Sequence, residues 1–441
     1  MEMDLKKIYA EIDSLEPELI RTRRDFHKYA ESAWTEFRTT SKIVQLLRSF
    51  GYDVKAGREI VDPSRAWAWP GEAEVARQIE RAVAQGADRE LVESLGGYTG
   101  AAVTIATGKP GPVIALRFDI DCNDVNECDA PDHRPTAEGF ASVNKKQMHA
   151  CGHDGHTTIG MAVAKELALH KDELCGTIKL IFQPGEEGDR GAAAVVGSGI
   201  LDDADVVLAA HVYAAPEGKL GLAGSQMGLY ATTKFDVTIT GKSAHAGAAP
   251  EEGANAINAA CLAVAGMQSF LQDGRGCSRL NVGTIHGGTG RNVIAEQCSL
   301  RMETRGSDTA VEQRLYHKAL ATIEGACAAF DCTCESKIMG VCPTGDGDPD
   351  LAARIAKCCA SIPDFDFTQA ELPQTGGTDD FACMMEAVRA HGGKACYMGL
   401  LTPLKAGHHN SCFDFDERIL KAGAKAFIAV VDMLMSEGVR A

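Results

Sequence analysis

Residues 156–187, HTTIGMAVAKELALHKDELCGTIKLIFQPGEE, contain two textures. Residues 156–174 repeat apolar side chains at three- and four-residue spacing, the pattern of an amphipathic helix. Residues 176–187 form a short apolar run stopped by Pro184 and Gly185 and closed by Glu186 and Glu187. Such a run predicts a strand buried on both faces. The same strand texture recurs before it, in TGAAVTIATG (99–108) and PVIALRFDID (112–121), and after it, in ADVVLAAHVYAA (204–215). Strand and helix in alternation predict an α/β fold with a mixed, mostly parallel sheet and helices on both faces. In such sheets chemistry gathers at the carboxyl ends of the strands.

The first fifty residues read as two helices, LIRTRRDFHKYA (19–30) and TEFRTTSKIVQLLRSFG (35–51), behind a charged, helical N-terminus. Residues 71–95 read as an inserted helical pair. Near residue 230 the texture changes to alternation: TTKFDVTITGKSAH (232–245), SRLNVGTIHGG (278–288) and CSLRMETRGS (298–307). Helical stretches at 253–272 and 310–330 lie between and after them. This is a split βαβ order, expected of a small open-faced α+β domain of ferredoxin-like type. From residue 337 the chain returns to loops, helices and the buried strand KACYMGLL (394–401). The expected organisation is a discontinuous catalytic domain, 1–229 with 337–441, and an inserted domain, 230–336.

At 441 residues the chain exceeds one compact core. Its formal net charge of -17, without a basic block, excludes a nucleic-acid binder. No apolar run reaches the roughly 18 residues of a membrane span. The N-terminus, MEMDLKKIYAEIDSLEPELI, lacks the apolar centre of a secretory signal. The sixteen cysteines then read as reduced, mostly buried thiols, and the expected location is the cytoplasm.

MHACGHDGHTTIG (148–160) can be read as a disulfide half, a cysteine nucleophile or a metal cradle. The polar residues that close the apolar runs favour the cradle. They are Asp119 and Asp121, Glu186 and Glu187, and His211, with Cys151 and His153 in this stretch and His408 and His409 near the C-terminus. Thiolate and imidazole suit zinc, and a carboxylate also admits manganese. Cys151 and His153, two apart, can face one side of an extended turn. A helix beginning near His156 favours the thiolate. Of two adjacent glutamates, one can bind metal while the other serves as general base toward a metal-activated water. A metal-independent amidase using Cys151 and a nearby histidine stays open at this point.

In order along the chain, RRDFHKYAESAWTEFRT, HACGHDGHT, IFQPGEEG, GKSAHAGAAPEEGANAI, GGTGRNVIAE and HHNSCFDFDE resemble the metal-dependent amidohydrolases of the aminoacylase and hippurate-hydrolase type. That group includes enzymes that cleave auxin–amino-acid conjugates. The match runs from about residue 20 to the end. The insert at 71–95, GGYTG and HRPTAEGFASVN resemble the branch acting on p-aminobenzoyl-glutamate more than the hippurate hydrolases.

The resemblance implies two divalent ions per subunit, Zn2+ or Mn2+. Cys151 would bridge them, His153, Glu187, His211 and His409 would complete the ligands, and Glu186 would be the base. Asp154 and His156 read as residues of the helix start that support these ligands, as cap and orienting neighbour, and His408 would either support a ligand or be merely structural. It also implies that the inserted domain dimerises and lends His245 to polarise the scissile carbonyl. Asn292 and Arg305 would hold the substrate carboxylate. GTDDF, at 377–381, places Asp379 where the family has glutamate. The expected reaction is hydrolysis of an N-acyl amino acid amide, foremost p-aminobenzoyl-glutamate or a related acyl-glutamate or acyl-aspartate. The competing expectations are a hydrolase of hippurate or auxin-conjugate type and a silent metal-binding member of a two-subunit assembly.

Overall fold

The computed structural model describes residues 3–270, 273–373 and 376–439. Residues 1–2 and 271–272, in two stretches expected to be helical, lie outside them. Two compact units emerge. One runs to Met227 and takes in the described residues of Asp346–Gln374 and Cys383–Ala441; the other is Gly228–Gly345 with the described residues of Thr375–Ala382.

The strands of the larger unit are β1 (Lys55–Ala56), β2 (Ala101–Ala106), β3 (Val113–Asp119), β4 (Thr177–Gln183), β5 (Val206–Ala214) and β6 (Gly221–Gln226), followed later in the chain by β11 (Phe367–Leu372) and β12 (Lys394–Thr402). Those of the smaller unit are β7 (Ala231–Thr240), β8 (Ser278–Gly287), β9 (Gln297–Gly306) and β10 (Thr333–Cys342).

The large sheet has the order β1-β2-β4-β3-β5-β12-β6-β11. Its centre, β4-β3-β5-β12, is parallel throughout. β1, β2 and the β12–β6 contact are antiparallel, so the sheet is mixed around a parallel core. These central strands are apolar runs because helices cover them. The helix His153–Leu169 packs on β3, β4 and β5. It comes close because Gly160 has no side chain: a Cβ there would stand 2.7 Å from the rings of Phe118 and Phe182. Those two rings stack at 5.5 Å, and Phe427 of the C-terminal helix Ile419–Glu437 closes on Phe118 at 5.0 Å.

Two expectations change. The first fifty residues form three helices, Leu5–Ser14, Glu16–Lys28 and Phe37–Ser49, because the chain turns at Leu15. The helix expected near His156 starts at His153, capped by Gly152 at φ +98°. A Cβ at Gly152 would sit 2.4 Å from Val212 Cγ2, so both the backbone and the space call for glycine.

The smaller unit is one antiparallel sheet, β10-β7-β9-β8, with the helices Ala256–Met267 and Thr309–Ala329 packed on it. Phe235, Val237, Ile239, Leu300, Met302 and Ile323 form its core. β10 pairs with β7 along its whole length, which carries this unit past residue 336 to Gly345.

Candidate metal centre

The parallel strands deliver their polar ends to one place in the larger unit. Asp119 and Asp121 follow from β3, and Glu186 and Glu187 from the turn after β4. His211 lies inside β5, opposite Gly399 of β12, and not at its end. Cys151 and His153 flank the capping Gly152.

The hydrogen bonds sort the histidines. His153 Nδ1 donates to the Asp121 carbonyl at 2.9 Å, which aims Nε2 inward. His211 Nδ1 donates to the Val212 carbonyl at 2.7 Å, which leaves Nε2 3.3 Å from Cys151 Sγ. His156 is used at both nitrogens: Nδ1 donates to Asp119 Oδ1 at 2.6 Å, and Nε2 accepts from the Val212 amide at 3.1 Å. It orients its neighbours and has no lone pair left for an ion. His408 Nε2 donates to the Val212 carbonyl at 2.9 Å and so fixes the strand that carries His211. His409 takes the left-handed conformation, φ 62°, with its amide held by the Ala150 carbonyl at 2.8 Å. A non-glycine residue there stores strain. Its Nε2 reaches to 3.5 Å from Glu187 Oε1.

The donor atoms fall into two groups that share the thiol: Cys151 with His153 and His211, and Cys151 with Glu187 and His409. Within each group the ligand atoms all lie within 4.8 Å of one another. Glu186 stands beside both, with Oε2 3.8 Å from His153 Nε2. His153 Nε2 and Glu187 Oε1 are buried and have no hydrogen-bond partner. Native structures rarely tolerate that. Two buried orphan atoms, a thiol and two imidazoles fit a divalent ion of the zinc type.

The electrostatics agree. Burial alone would push His153 down, but Asp119, Asp121 and Glu187 outweigh it and raise the imidazole to about 10. Burial would raise Glu187, yet the neighbouring His409 imidazole and the charge of His153 hold it at about 2. His211 is held well below its usual value by burial and by His156 and His408. The cluster is an anionic pocket that gathers positive charge. Asp121 organises it: its Oδ1 accepts the Glu186 amide at 3.1 Å and its Oδ2 the Glu187 amide at 2.9 Å.

Arg23 and Glu36 lie within RRDFHKYAESAWTEFRT, where the sequence assigns them no role, yet both support this centre. Arg23 is fully buried and pairs through Nε with Asp154 at 2.7 Å, Nη2 with Asp414 at 2.9 Å and Nη1 with Glu417 at 3.3 Å. It thereby ties the start of the His153 helix to the segment that follows His409. Asp154 is thus no cap, because Gly152 holds that position; its Oδ2 also takes His27 Nδ1 at 2.8 Å. Glu36 receives the Gly185 amide at 2.8 Å and fixes the turn before Glu186. Burial and the nearby Asp121 raise Glu36 to about 8. His149 is buried with both ring nitrogens unpartnered.

In the smaller unit His245 is exposed, and its Nδ1 accepts the amides of Gly247 and Ala248 at 3.1 and 3.0 Å. The ring therefore carries its proton on Nε2 when neutral. His245 bridges Val293, and the Ala246 amide bonds the Asn292 carbonyl at 3.1 Å, so His245 and Asn292 belong to one corner. Arg305 does not join them. It sits near the far end of β9, roughly 30 Å along the strand from the β8–β9 turn that holds Asn292. There its Nε and Nη2 each lie 3.1 Å from a Glu303 oxygen, and Arg279 is its cross-strand partner. Two guanidinium groups against one carboxylate leave a positive groove to which Arg279 contributes as well as Arg305.

A mostly parallel sheet gathering such donors beside a second glutamate is the arrangement of a metal-dependent hydrolase. Comparison with known proteins agrees. The model of peptidase family M20/M25/M40 matches residues 115–433, and the chain belongs to that family. It is 41% identical to a p-aminobenzoyl-glutamate hydrolase subunit of Escherichia coli over 93% of this chain and 94% of the relative. It is 42% identical to indole-3-acetyl-aspartic acid hydrolase of Enterobacter agglomerans, with the same coverage, 93% and 94%. The solved aminobenzoyl-glutamate utilization protein of Klebsiella pneumoniae superposes with a TM-score of 0.83 at 33% identity, covering 99% of this chain and 100% of that one.

Proposed function

We propose that this chain hydrolyses the amide of an N-acyl amino acid whose amino-acid side carries a second carboxylate, p-aminobenzoyl-glutamate first and acyl-aspartates next. The observation that carries the reading is the pair of ligand groups sharing Cys151, with Glu186 beside them. Cys151, His153, Glu187, His211 and His409 would hold two divalent ions. Bound there, zinc or manganese supplies a Lewis acid for the carbonyl and a water acidified toward about 7. Glu186 accepts the proton of the attacking water and returns it to the leaving nitrogen. His245, with Nδ1 engaged as an acceptor, donates its Nε2 proton to the carbonyl oxygen as charge develops. Arg305, with Arg279 beside it, and Asn292 recognise carboxylates.

The separation of Asn292 from Arg305 along β9 supports a homodimer in which the His245–Asn292 corner serves a neighbouring protomer's substrate. β8 is the edge of its sheet, and Leu262, Ile285 and Val293 are exposed apolar residues of this unit. An open edge with apolar neighbours suits pairing with a second copy. No disulfide joins any of the sixteen cysteines among the described residues, which fits a reducing, cytoplasmic setting. No helix among the described residues is long and apolar enough to cross a membrane.

A cysteine-nucleophile mechanism is disfavoured because His211, the imidazole beside Cys151, is held well below its usual basicity by burial. The test is a panel of p-aminobenzoyl-glutamate, hippurate and N-acyl-aspartates. The enzyme is assayed before chelation, after EDTA, and after return of Mn2+ or Zn2+. Metal-reversible turnover with preference for the dicarboxylate amino acids is expected. Activity that survives EDTA would point to the thiol, and silence across the panel would point to a need for a second kind of chain.

A further inference from the structure

A second cluster of metal-ligating side chains lies at the other end of the helix that carries His153. Glu166 and His170 stand four residues apart, on one face of the helix His153–Leu169 and its C-cap. Glu11 approaches from the helix Leu5–Ser14, and Glu173 from the turn Lys171–Glu173. His170 Nε2 is 2.7 Å from Glu11 Oε2 and 4.0 Å from Glu166 Oε2, and its Nδ1 is 2.7 Å from Glu173 Oε1.

The charge in this cluster does not balance. Three carboxylates surround one imidazole, which can neutralise only one of them. Lys7 Nζ stands 3.8 Å from Glu11 Oε1 but is itself 59% exposed. Lys165, the helix neighbour, is engaged with Glu18 at 2.9 Å. Glu166 is the hardest to account for as an ion pair alone. Its side chain is 1% exposed, and its Oε2 has no hydrogen-bond partner. Burial and the Glu11 carboxylate raise Glu166 to about 7. A buried carboxylate beside another calls for a proton or a cation.

We propose that Glu11, Glu166 and His170 form a second, structural site for a divalent cation, zinc or manganese, which clips the N-terminal helix to the helix that begins at His153. The three ligand atoms already lie within 4.8 Å of one another. An ion at ordinary bond lengths spaces its ligands about 3.3 Å apart, so side-chain adjustment alone completes the site. Glu173 supplies the feature that separates a ligating histidine from an ordinary one: a carboxylate on the other ring nitrogen, which fixes the tautomer and strengthens the donor. The helix C-terminus adds its partial negative charge. Fewer than four protein ligands leaves room for water, and the role is structural because the site joins two helices.

The site is tested by counting metal in the whole enzyme. Wild type, Glu11→Gln, Glu166→Gln and His170→Gln are purified with zinc or manganese chloride, desalted and analysed by ICP-MS. Each variant should carry one ion fewer per chain than wild type, with amide hydrolysis unchanged. Zinc chloride should raise the melting temperature of wild type more than that of Glu11→Gln. Glu11 is partly exposed, so this variant decides the matter if Glu166→Gln folds poorly. Equal metal content in wild type and Glu11→Gln would overturn the proposal and leave a carboxylate pair sharing a proton. Loss of activity in every protein, wild type included, would instead count against the catalytic reading and leave this one standing.

Discussion

Two charged clusters meet at the start of the helix His153–Leu169, and they are finished differently. Around Arg23, each guanidinium nitrogen has a carboxylate: Asp154, Asp414 and Glu417 at 2.7 to 3.3 Å, all buried. Around Cys151, buried His153 Nε2 and Glu187 Oε1 have no hydrogen-bond partner. The first cluster is complete with protein atoms alone, and the second keeps two buried atoms that an ion could satisfy. One holds the segments that carry the candidate ligands in place; the other presents those candidates. Asp154 belongs to the first and His153, the next residue back, to the second, so the two clusters share a backbone.

The contrast can be attacked from either side. Cys151→Ser should have the largest effect, because the thiol belongs to both ligand groups. Metal titration should show affinity reduced by more than the roughly 10–100-fold typical of a lost supporting residue. Amide hydrolysis should fall with it. Arg23→Met removes the buried cation shared by three carboxylates, which keep only His27, Arg24 and Arg134 as partners, and urea denaturation should register a loss on the order of 3–5 kcal/mol. Asp121→Asn keeps the shape but weakens the carboxylate that receives the Glu186 and Glu187 amides. Metal affinity should fall about 10–100-fold with little change in stability.

The smallest effect is on pH dependence. Burial would lower His27, but the hydrogen bonds to Asp154 and Glu127 raise it to about 9. A raised histidine adds stability that is fully present below its unfolded value near 6.5. That stability is lost as pH rises toward 9. Urea midpoints measured from pH 6 to 9 should fall in wild type and fall less steeply in His27→Gln. Parallel curves would mean His27 is not charged in the Arg23 cluster.

The parallel core was legible because strands covered on both faces become apolar runs, and PVIALRFDID and GTIKLIFQPGEE end where β3 and β4 deliver Asp119, Asp121, Glu186 and Glu187. The strands β6 and β11 were not legible. GLAGSQ is rich in small residues because helix Pro349–Cys359 crosses it closely: a Cβ on Gly224 would stand 1.9 Å from the Ala352 carbonyl oxygen. Such a strand has no hydrophobic period to read. FTQAEL lies at the sheet edge and is only half-buried. The Arg23 cluster was hidden for another reason, since its partners lie 131, 391 and 394 residues along the chain. No local pattern encodes such distances, and Asp154 therefore reads as a helix cap in the sequence. The separation of Arg305 from Asn292 follows from the length of β9 between them, whereas the pairing of Arg305 with Arg279 was invisible, because it depends on the register of β8 against β9.

In the proposed mechanism Glu186 would move the proton while its neighbours would hold the metal, and the variant Glu186→Gln separates those two roles. It is loaded with Mn2+ or Zn2+ and assayed on p-aminobenzoyl-glutamate beside wild type. Wild-type metal content with kcat/KM reduced about 10²–10⁴-fold is the expected result. Full amidase activity in the metal-loaded variant would contradict it.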